Sequence, residues 1–412
     1  MTSDRADVVV VGAGPAGLFC AARLPADRSV VVLERMAEPG RKLLLAGSGQ
    51  ANLTHEGDVA AFLERFGEHG RFLRHALRSF SNAALAAWFA GHGVPLETRS
   101  DGKVFPVSRR ADDVLEALRA ACRENGVRII PNARVRTVER DDDGFSVGVA
   151  GGGWRAASVV LATGGASYPE TGSTGDGYRL AHALGHTVVE PRPALAPVEP
   201  GPYTFADLSG VSVSDAGLRV VRDGRQVAAG RGDLLFTHRG LSGPGVLDLS
   251  RDLRPGDRLI VSFVAIPPPE TLDERLVRLC AERGPARLPT VLAPLGLPER
   301  LLRRLIAETG LPEETTGARL DRNGRRRLVG VLGGLSFAVD RIGGFSVAMT
   351  TAGGVALDEV NPKTMESRLV PNLFFAGEVL DIDGDTGGYN LQAAFSTGAL
   401  AAATIARQPA RD

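Results

Sequence analysis

The stretch Asp7–Leu24, DVVVVGAGPAGLFCAARL, decides the fold. Its four consecutive valines predict a buried parallel strand, and the apolar residues after the glycines predict a helix with small residues on its packing face. Gly12 permits a tight turn, Gly14 lets a pyrophosphate approach the backbone at the helix N-terminus, and Gly17 lets helix and strand pack closely. The predicted dinucleotide-binding turn therefore consists of Gly12, Gly14, Pro15, Ala16 and Gly17.

A second strand, VVVLER, leads to an acidic residue 20 positions after Gly14. This residue is Glu34, and a carboxylate at that distance can accept hydrogen bonds from both ribose hydroxyls. Strand, glycines, helix, strand and acid in this register predict dinucleotide binding, with Arg35 as a neighbouring contact. The pattern does not distinguish FAD from NAD.

Two later segments are predicted to lie beside the same nucleotide. The small-residue loop LLLAGSGQANLT, which follows Arg41 and Lys42, is expected along a pyrophosphate or a flavin edge. The buried strand VVLATGG is expected to place a second backbone turn there, after strands with hairpin turns. The predicted contacts from these segments are Lys42, Gly49, Asn52, Val135, Thr163 and Gly164.

The C-terminal stretch FFAGEVLDIDGDTGGYNLQAAFSTG predicts a strand over Leu373–Ala376, an acidic turn and an amphipathic helix. The helix N-terminus, placed just after Gly387 and Gly388, is expected to face the flavin N1–C2=O edge, where its partial charge would stabilise the reduced ring. An aspartate in place of Asn390 is expected to suit such a helix start. Predicted contacts here are Gly377, Asp381, Gly388, Tyr389, Asn390 and Leu391.

Four segments together resemble a known family: LATGGASYPETGSTGDGY, FTHRGLSGP, NPKTMES and the C-terminal stretch. They resemble bacterial FAD-dependent oxidoreductases of the aminoacetone-oxidase-type group, which have glutathione-reductase-like FAD domains. The resemblance implies FAD as cofactor, with contacts from Asp176 and Glu378. Many relatives of this kind carry Arg-Cys-Asn where this chain has Gln50-Ala51-Asn52, so a role for a thiol or guanidinium there is not expected.

The fold implied is α/β: a Rossmann-like FAD-binding domain interrupted by an inserted β-barrel-like domain that carries a small helical subdomain. A shift to proline-rich sequence near Pro191, short alternating runs and two amphipathic helical patterns agree with it. The expected boundaries are 1–190 for the first part of the FAD-binding domain, 191–268 for the β domain, 269–334 for the helical insert, 335–350 for the return to the β domain and 351–412 for the rest of the FAD-binding domain.

Candidate catalytic groups are few, because FAD supplies the redox chemistry. His238 and Arg239, in LFTHRGLSGPG, pair a proton donor with a fixed cation. No second G-x-G-x-x-G follows a strand, so NAD(P)H is expected as a transient electron donor beside the flavin. Three widely spaced cysteines argue against a disulfide framework and a zinc site, and no metal is expected.

The charge balance, with 48 basic and 48 acidic residues, favours a small-molecule substrate over nucleic acid or a membrane surface. A cytoplasmic protein, monomeric or homodimeric, is expected. The leading prediction is an FAD-dependent oxidoreductase that takes electrons from NAD(P)H and passes hydride through flavin N5 to a small or apolar acceptor. The alternatives are an oxygen-dependent amine oxidase and, from another class, an RNA-modifying or partner-binding redox flavoprotein.

Overall fold

The computed structural model describes residues 3–409, which divide into two compact units. The first unit is formed by the chain up to Pro193 together with the chain from Ala348 onward. The second unit is the intervening segment, Ala194–Val347.

The strands, in chain order, are β1 Ser3–Val11, β2 Val30–Leu33, β3 Thr54–His55, β4 Leu96–Thr98, β5 Lys103–Pro106, β6 Arg128–Ile130, β7 Val135–Asp141, β8 Gly144–Val149, β9 Gly152–Leu161, β10 Val188–Ala194, β11 Val198–Pro200, β12 Ser212–Arg222, β13 Arg225–Phe236, β14 Leu241–Ser242, β15 Arg258–Ser262, β16 Leu335–Ile342, β17 Thr350–Val355 and β18 Leu373–Phe375. The α-helices are α1 Pro15–Ala22, α2 Val59–Glu64, α3 Gly70–Ser79, α4 Asn82–Gly91, α5 Ala111–Glu124, α6 Asp176–Ala183, α7 Pro244–Leu249, α8 Leu272–Glu282, α9 Leu288–Leu292, α10 Glu299–Glu308, α11 Arg322–Gly334 and α12 Tyr389–Ile405.

The main sheet of the first unit has the strand order β6-β2-β1-β9-β8-β7, and β18 pairs with β9. Parallel pairing joins β6, β2, β1, β9 and β18, whereas β7 and β8 are antiparallel. The N-terminal half of β9 pairs with β8, and its C-terminal half pairs with β18. Strand β18 therefore occupies the sheet position beyond the end of β8. This pairing brings the C-terminal segment of the chain beside the first strands.

In the second unit the order β11-β14-β13-β12-β15-β16 closes into an antiparallel barrel. Alternate residues of β12 are buried, as expected for strands with one face toward a barrel core. Helices α8 to α11 lie between β15 and β16 in sequence and contribute leucines to the same hydrophobic core. The predicted fold class, an α/β FAD-binding domain with an inserted barrel and a small helical subdomain, is confirmed.

The predicted amphipathic character of the C-terminal helix is wrong. Helix α12 is buried on most sides, including polar residues such as Gln392, Ser396 and Thr397. These polar groups are accommodated by hydrogen bonds: Ser396 Oγ donates to the Phe80 carbonyl at 2.7 Å, and Gln392 Nε2 lies 2.9 Å from Ser396 Oγ. The helix is therefore central to the first unit.

A group of interacting polar side chains lies next to β17 and β18. His186, 1% exposed, has Nε2 2.8 Å from Ser367 Oγ and Nδ1 3.1 Å from a Glu359 carboxylate oxygen. Ser367 Oγ also accepts the backbone N–H groups of Leu369 and Val370, so its hydroxyl proton is available to the imidazole. Burial lowers the pKa of His186 despite the neighbouring carboxylate.

We predict that His186→Asn lowers the free energy of unfolding by roughly 1–3 kcal/mol at about pH 8, because the buried Ser367 hydroxyl loses its imidazole partner. The folded wild type binds fewer protons at His186 than the unfolded chain. His186 makes its full contribution to the free energy of unfolding above the ordinary histidine pKa of 6.5. That contribution is lost as the pH falls from 6.5 toward the lowered pKa of His186 in the folded state. The stability gap between wild type and variant, measured by denaturant unfolding, should narrow over that range. The exposed His75, changed to Asn, is the control; a gap that stays constant or widens on acidification would contradict the prediction.

Candidate functional site

The glycine turn between β1 and α1 gives each glycine a different physical role. Gly12 has φ 103°, and a Cβ there would lie 2.6 Å from the Ala162 carbonyl oxygen. A Cβ on Gly17 would lie 2.0 Å from the Gly12 carbonyl oxygen. A Cβ on Gly14 would meet no described atom within 4 Å, and helix α1 begins there without a side-chain cap. Protein packing therefore explains Gly12 and Gly17, whereas the space over Gly14 suits a phosphate at the helix N-terminus.

Glu34 lies at the end of β2 and is 8% exposed. Its Oε2 accepts the Ala13 N–H at 2.9 Å, and its Oε1 accepts the Met36 N–H at 2.8 Å. Because each carboxylate oxygen can accept a second bond, these contacts orient the group and leave capacity for ribose hydroxyls. The cleft beside it brings together six of the predicted contacts: Gly12, Glu34, Arg35, Val135, Thr163 and Asp176.

Asp176 is held at the edge of this cleft by two arginines. Arg134 contacts both of its oxygens at 2.8 Å, and Arg35 Nη1 lies 3.1 Å away. The Arg134 guanidinium holds the pKa of Asp176 below its usual range. Arg134 was not predicted; its position one residue before Val135 was the available signal. These contacts brace the cleft edge through ion pairs within the protein.

A second cluster joins residues from three distant parts of the chain. Lys42 Nζ lies 2.6 Å from Glu378 Oε2 and 2.6 Å from Ser167 Oγ, and Ser167 Oγ lies 3.1 Å from Glu378 Oε1. The Thr351 N–H donates to the same Oε1 at 2.9 Å, which fixes the carboxylate. The structure thus brings together the predicted Lys42 and Glu378, and adds Ser167 and Thr351, which sequence reasoning missed.

The loop after Lys42 has a strained backbone. Gly47, Ser48, Gly49 and Ala51 all have positive φ, and for Ser48 and Ala51 this conformation is uncommon. The Asn52 amide oxygen is buried and has no hydrogen-bond partner among residues 3–409. Strain and an unsatisfied buried acceptor are features of ligand-binding loops. A hydrogen-bond donor on a bound cofactor would satisfy Asn52.

Two further backbone turns contain predicted contacts. Gly164 and Gly377 have φ 72° and 75°, respectively. A Cβ on Gly177 would lie 1.9 Å from Thr163 Oγ1, so the Thr163 side chain packs against the start of α6. The Gly377 N–H donates to Thr397 Oγ1 at 2.9 Å, a buried link to α12.

The start of α12 has a structural reason for its glycines. Gly387 and Gly388 have φ 120° and 99°, and a Cβ on Gly388 would lie 2.5 Å from the Thr54 carbonyl oxygen. The expectation that Asp fits easily at position 390 is wrong. The Asn390 amide nitrogen donates to the Gly384 carbonyl at 2.9 Å, so a carboxylate there would face an acceptor. Whether this helix end faces the flavin ring stays a prediction.

The remaining predicted contacts of this region lie in or beside a packed aromatic cluster. Tyr389, 6% exposed, stacks on His55 at 5.2 Å and meets Phe62 edge-on at 5.0 Å. Asp381 Oδ2 lies 3.9 Å from His69 Nε2. Leu391 is partly buried against the main core.

The predicted catalytic pair belongs to the second unit. His238 and Arg239 are exposed in the turn between β13 and β14, which the Thr237 N–H closes onto the Gly240 carbonyl at 2.8 Å. Their catalytic role stays a prediction. Thiol chemistry is disfavoured, since burial raises the pKa of both Cys20 and Cys122 to about 12.

A family profile described as "HI0933-like protein Rossmann domain" matches residues 6–404. The chain belongs to the HI0933-like family. Three features of the site fit FAD: the open space over Gly14, the oriented carboxylate of Glu34 and the unsatisfied amide oxygen of Asn52. This HI0933-like chain is an FAD-binding flavoprotein of an oxidoreductase family. The narrower aminoacetone-oxidase-type grouping stays a prediction.

Two curated relatives of this HI0933-like chain match it over nearly their full length. It is 32% identical to "Ribosomal RNA dihydrouridine synthase" of Haemophilus influenzae, over 98% of this chain and 100% of the relative. It is 31% identical to "3-dehydro-bile acid delta(4,6)-reductase" of Clostridium scindens, over 97% of this chain and 99% of the relative. A solved structure of the 3-ketosteroid-delta4-(5alpha)-dehydrogenase from Rhodococcus jostii RHA1 shares the fold, with TM-score 0.52, 18% identity and coverage of 99% of this chain and 98% of that one.

Across residues 3–409, no helix combines the length and apolar character needed to cross a bilayer. Within the same range, no group of three or more His, Cys, Asp or Glu side chains is arranged to hold a metal ion.

We predict that Gly14→Val abolishes stoichiometric FAD binding without unfolding the apoprotein, since its side chain enters space that no described protein atom occupies. FAD affinity should fall by roughly a hundredfold, about 2.8 kcal/mol. FAD titration and thermal unfolding of the apoprotein are the measurements. Gly330→Ala, at another open position, is the control. Retained stoichiometric FAD in the valine variant would refute the assignment.

We also predict that Lys42→Arg weakens FAD binding by about tenfold, ~1.4 kcal/mol, because a planar guanidinium cannot reproduce two compact ammonium contacts. Lys103→Arg is the matched control, since that partly exposed ammonium, at the start of β5, pairs with Asp101 at 2.7 Å. Both variants would be titrated with FAD as apoproteins. Indistinguishable titrations would show that an ammonium at position 42 has no special role.

Proposed function

We propose that this protein is an FAD-dependent reductase of a carbon–carbon double bond conjugated with a carbonyl group, with NAD(P)H as electron donor and a uracil base of RNA as acceptor. One observation carries the proposal. Full-length relatives named for different substrates, ribosomal RNA uridine and a bile acid, share this type of bond reduction.

The two named reactions have the same chemical centre. Uracil has a C5=C6 double bond conjugated with the C4 carbonyl, and a 3-oxo-4,6-diene has its double bonds conjugated with the C3 carbonyl. For uridine the balance is uridine, NAD(P)H and a proton giving dihydrouridine and NAD(P)⁺. C–H bonds form at C6 and C5, the C5=C6 π bond breaks, and NAD(P)H is oxidised. When bound, FAD supplies the hydride for this step.

The residues of the first unit would bind and orient the cofactor. The Gly14 turn would hold the pyrophosphate and Glu34 the ribose, while the strained loop would present Asn52 to the cofactor. Lys42 is held in place, because Glu378 and Ser167 both lie 2.6 Å from its ammonium. The Glu378 carboxylate offsets its charge, and the third N–H of the ammonium would remain to donate a hydrogen bond to the cofactor. His238, with Arg239 beside it, would deliver the proton to C5.

RNA is proposed although the overall charge balance led us to expect no nucleic acid. The balance of 48 basic and 48 acidic residues is an average over the whole chain. The second unit contains 21 arginines against 18 acidic residues, so cationic surface is not evenly distributed. A small enone is the second candidate acceptor, favoured by the bile acid reductase relative.

We predict that the FAD-loaded protein with NAD(P)H, under anaerobic conditions, converts uridine to dihydrouridine in ribosomal RNA from cells that lack the gene. Nucleoside mass spectrometry would detect the gain of two hydrogens. Gly14→Val should be inactive. His238→Asn should slow RNA reduction by roughly 10²–10⁴-fold and leave flavin reduction by NAD(P)H unchanged, with His75→Asn as its control.

Parallel assays separate the alternatives. Reduction of a 3-oxo-4,6-diene but not of RNA would favour the small-molecule reductase. Flavin bleaching by an amine, followed by hydrogen peroxide formation in air, would identify an amine oxidase. Failure of NAD(P)H to bleach the flavin would overturn the proposed donor.

A further inference from the structure

One edge of the helical subdomain carries arginines that have no acidic partner among residues 3–409. The Ala318 N–H donates to the Gly284 carbonyl at 2.8 Å, and the Gly317 N–H donates to the Ala286 carbonyl at 3.0 Å. These bonds place the chain after α8 against the turn that leads into α11. The exposed arginines of the two segments, called the arginine patch below, are Arg283, Arg287, Arg319, Arg322, Arg326 and Arg327.

Several other arginines of the second unit have acidic partners. Arg278 pairs with Glu270 at 2.9 Å, Arg303 with Glu299 at 2.7 Å and Arg231 with Asp215 at 2.8 Å. Within residues 3–409, no carboxylate lies within ion-pair distance of any arginine of the patch. Residues 283–287 and 315–327 together contain seven arginines and one acid, Asp321.

The stability of helix α11 does not account for the arginines near its N-terminus. Helix α11 begins at Arg322, and its first turn contains no acidic residue. A helix N-terminus carries partial positive charge, so cations there are unfavourable. Arg322 and Arg326 are also four residues apart, where like charges repel. Asp321 caps the helix by accepting the Gly324 N–H at 2.6 Å, and it only partly offsets the charge.

We infer that the arginine patch binds phosphates of the RNA substrate. Exposed guanidiniums beside a helix N-terminus form a cationic surface that a phosphate backbone would complement. An anionic membrane is the less suitable partner. None of the exposed large apolar side chains found within residues 3–409 lies in 283–287 or 315–327, so nothing in the patch would insert into lipid. The inference rests on the proposed function for its choice of RNA.

The test uses full-length, FAD-loaded protein and a folded fragment of ribosomal RNA, with binding followed by fluorescence anisotropy over a range of salt concentrations. The triple variant Arg319→Gln, Arg322→Gln, Arg326→Gln should bind at least about tenfold more weakly. The slope of log affinity against log salt should become less steep by roughly 2–3, from three lost phosphate contacts at about 0.7–0.9 each. The variant should melt at the same temperature as wild type or higher.

The matched control removes the same charge from paired positions: Arg231→Gln, Arg278→Gln, Arg303→Gln. It should bind RNA nearly as wild type does. Lysine at the three patch positions should restore most of the binding, because the charge is kept. Equal losses in both triple variants, or no loss in the patch variant, would overturn the inference. So would tight binding of wild type to anionic vesicles with no affinity for RNA.

Failure of the patch and failure of the proposed function are distinguishable. Patch-dependent RNA binding without dihydrouridine formation would leave the patch standing and reject the proposed reaction. Dihydrouridine formation in ribosomal RNA at an unchanged rate in the patch variant would support the reaction and reject the patch. Flavin reduction by NAD(P)H should be the same in all these variants.

Discussion

The close approach of other segments to the first turn of α1 is the constraint on which the first unit depends. A Cβ on Gly377 would lie 2.8 Å from Ala16 Cβ, and a Cβ on Gly398 would lie 2.6 Å from the Ala16 carbonyl oxygen. Backbone can pack this closely only where side chains are absent. Because both glycines come from the C-terminal segment, that segment docks directly on the N-terminal nucleotide turn.

This docking explains how a site can be assembled from the two ends of the chain. Strand β18 pairs beside β9, and the following turn carries Glu378 to Lys42. The pair is partly exposed, with side chains 24% and 21% accessible, so its contribution to stability is modest. Its importance lies in position: Ser167 and the Thr351 N–H hold the carboxylate, and the carboxylate holds the ammonium.

Features set by local sequence were predictable, and those set by distant contacts were not. The glycine turn follows from Asp7–Leu24 because strand, turn and helix lie within one short segment. Ser167 and Thr351 were missed because a hydroxyl has no periodic signal, and their partners lie far away in sequence. The pattern of α12 suggested one apolar face, yet Ser396 and Gln392 are buried against the Phe80 carbonyl. Gly388 was predicted as a ligand-binding glycine; the close approach of the Thr54 carbonyl is a further reason for a glycine there, and the ligand-binding role stays a prediction.

Tightly packed glycine positions and exposed surface positions differ in what limits their side chains. In the first unit, a Cβ added to Gly12, Gly17 or Gly398 would lie less than 3 Å from a backbone atom of another segment or turn. Few substitutions at these positions are therefore compatible with the fold. Substitution of an exposed arginine in the second unit is restricted only by its ion-pair partner, where it has one. A shared cofactor geometry with variable surface charge would allow relatives to keep one reaction and change substrate. Relatives named for an RNA base and for a bile acid, at 32% and 31% identity, are consistent with that division. Under the proposed function, the arginine patch is the part of the second unit in which a preference for RNA would be built.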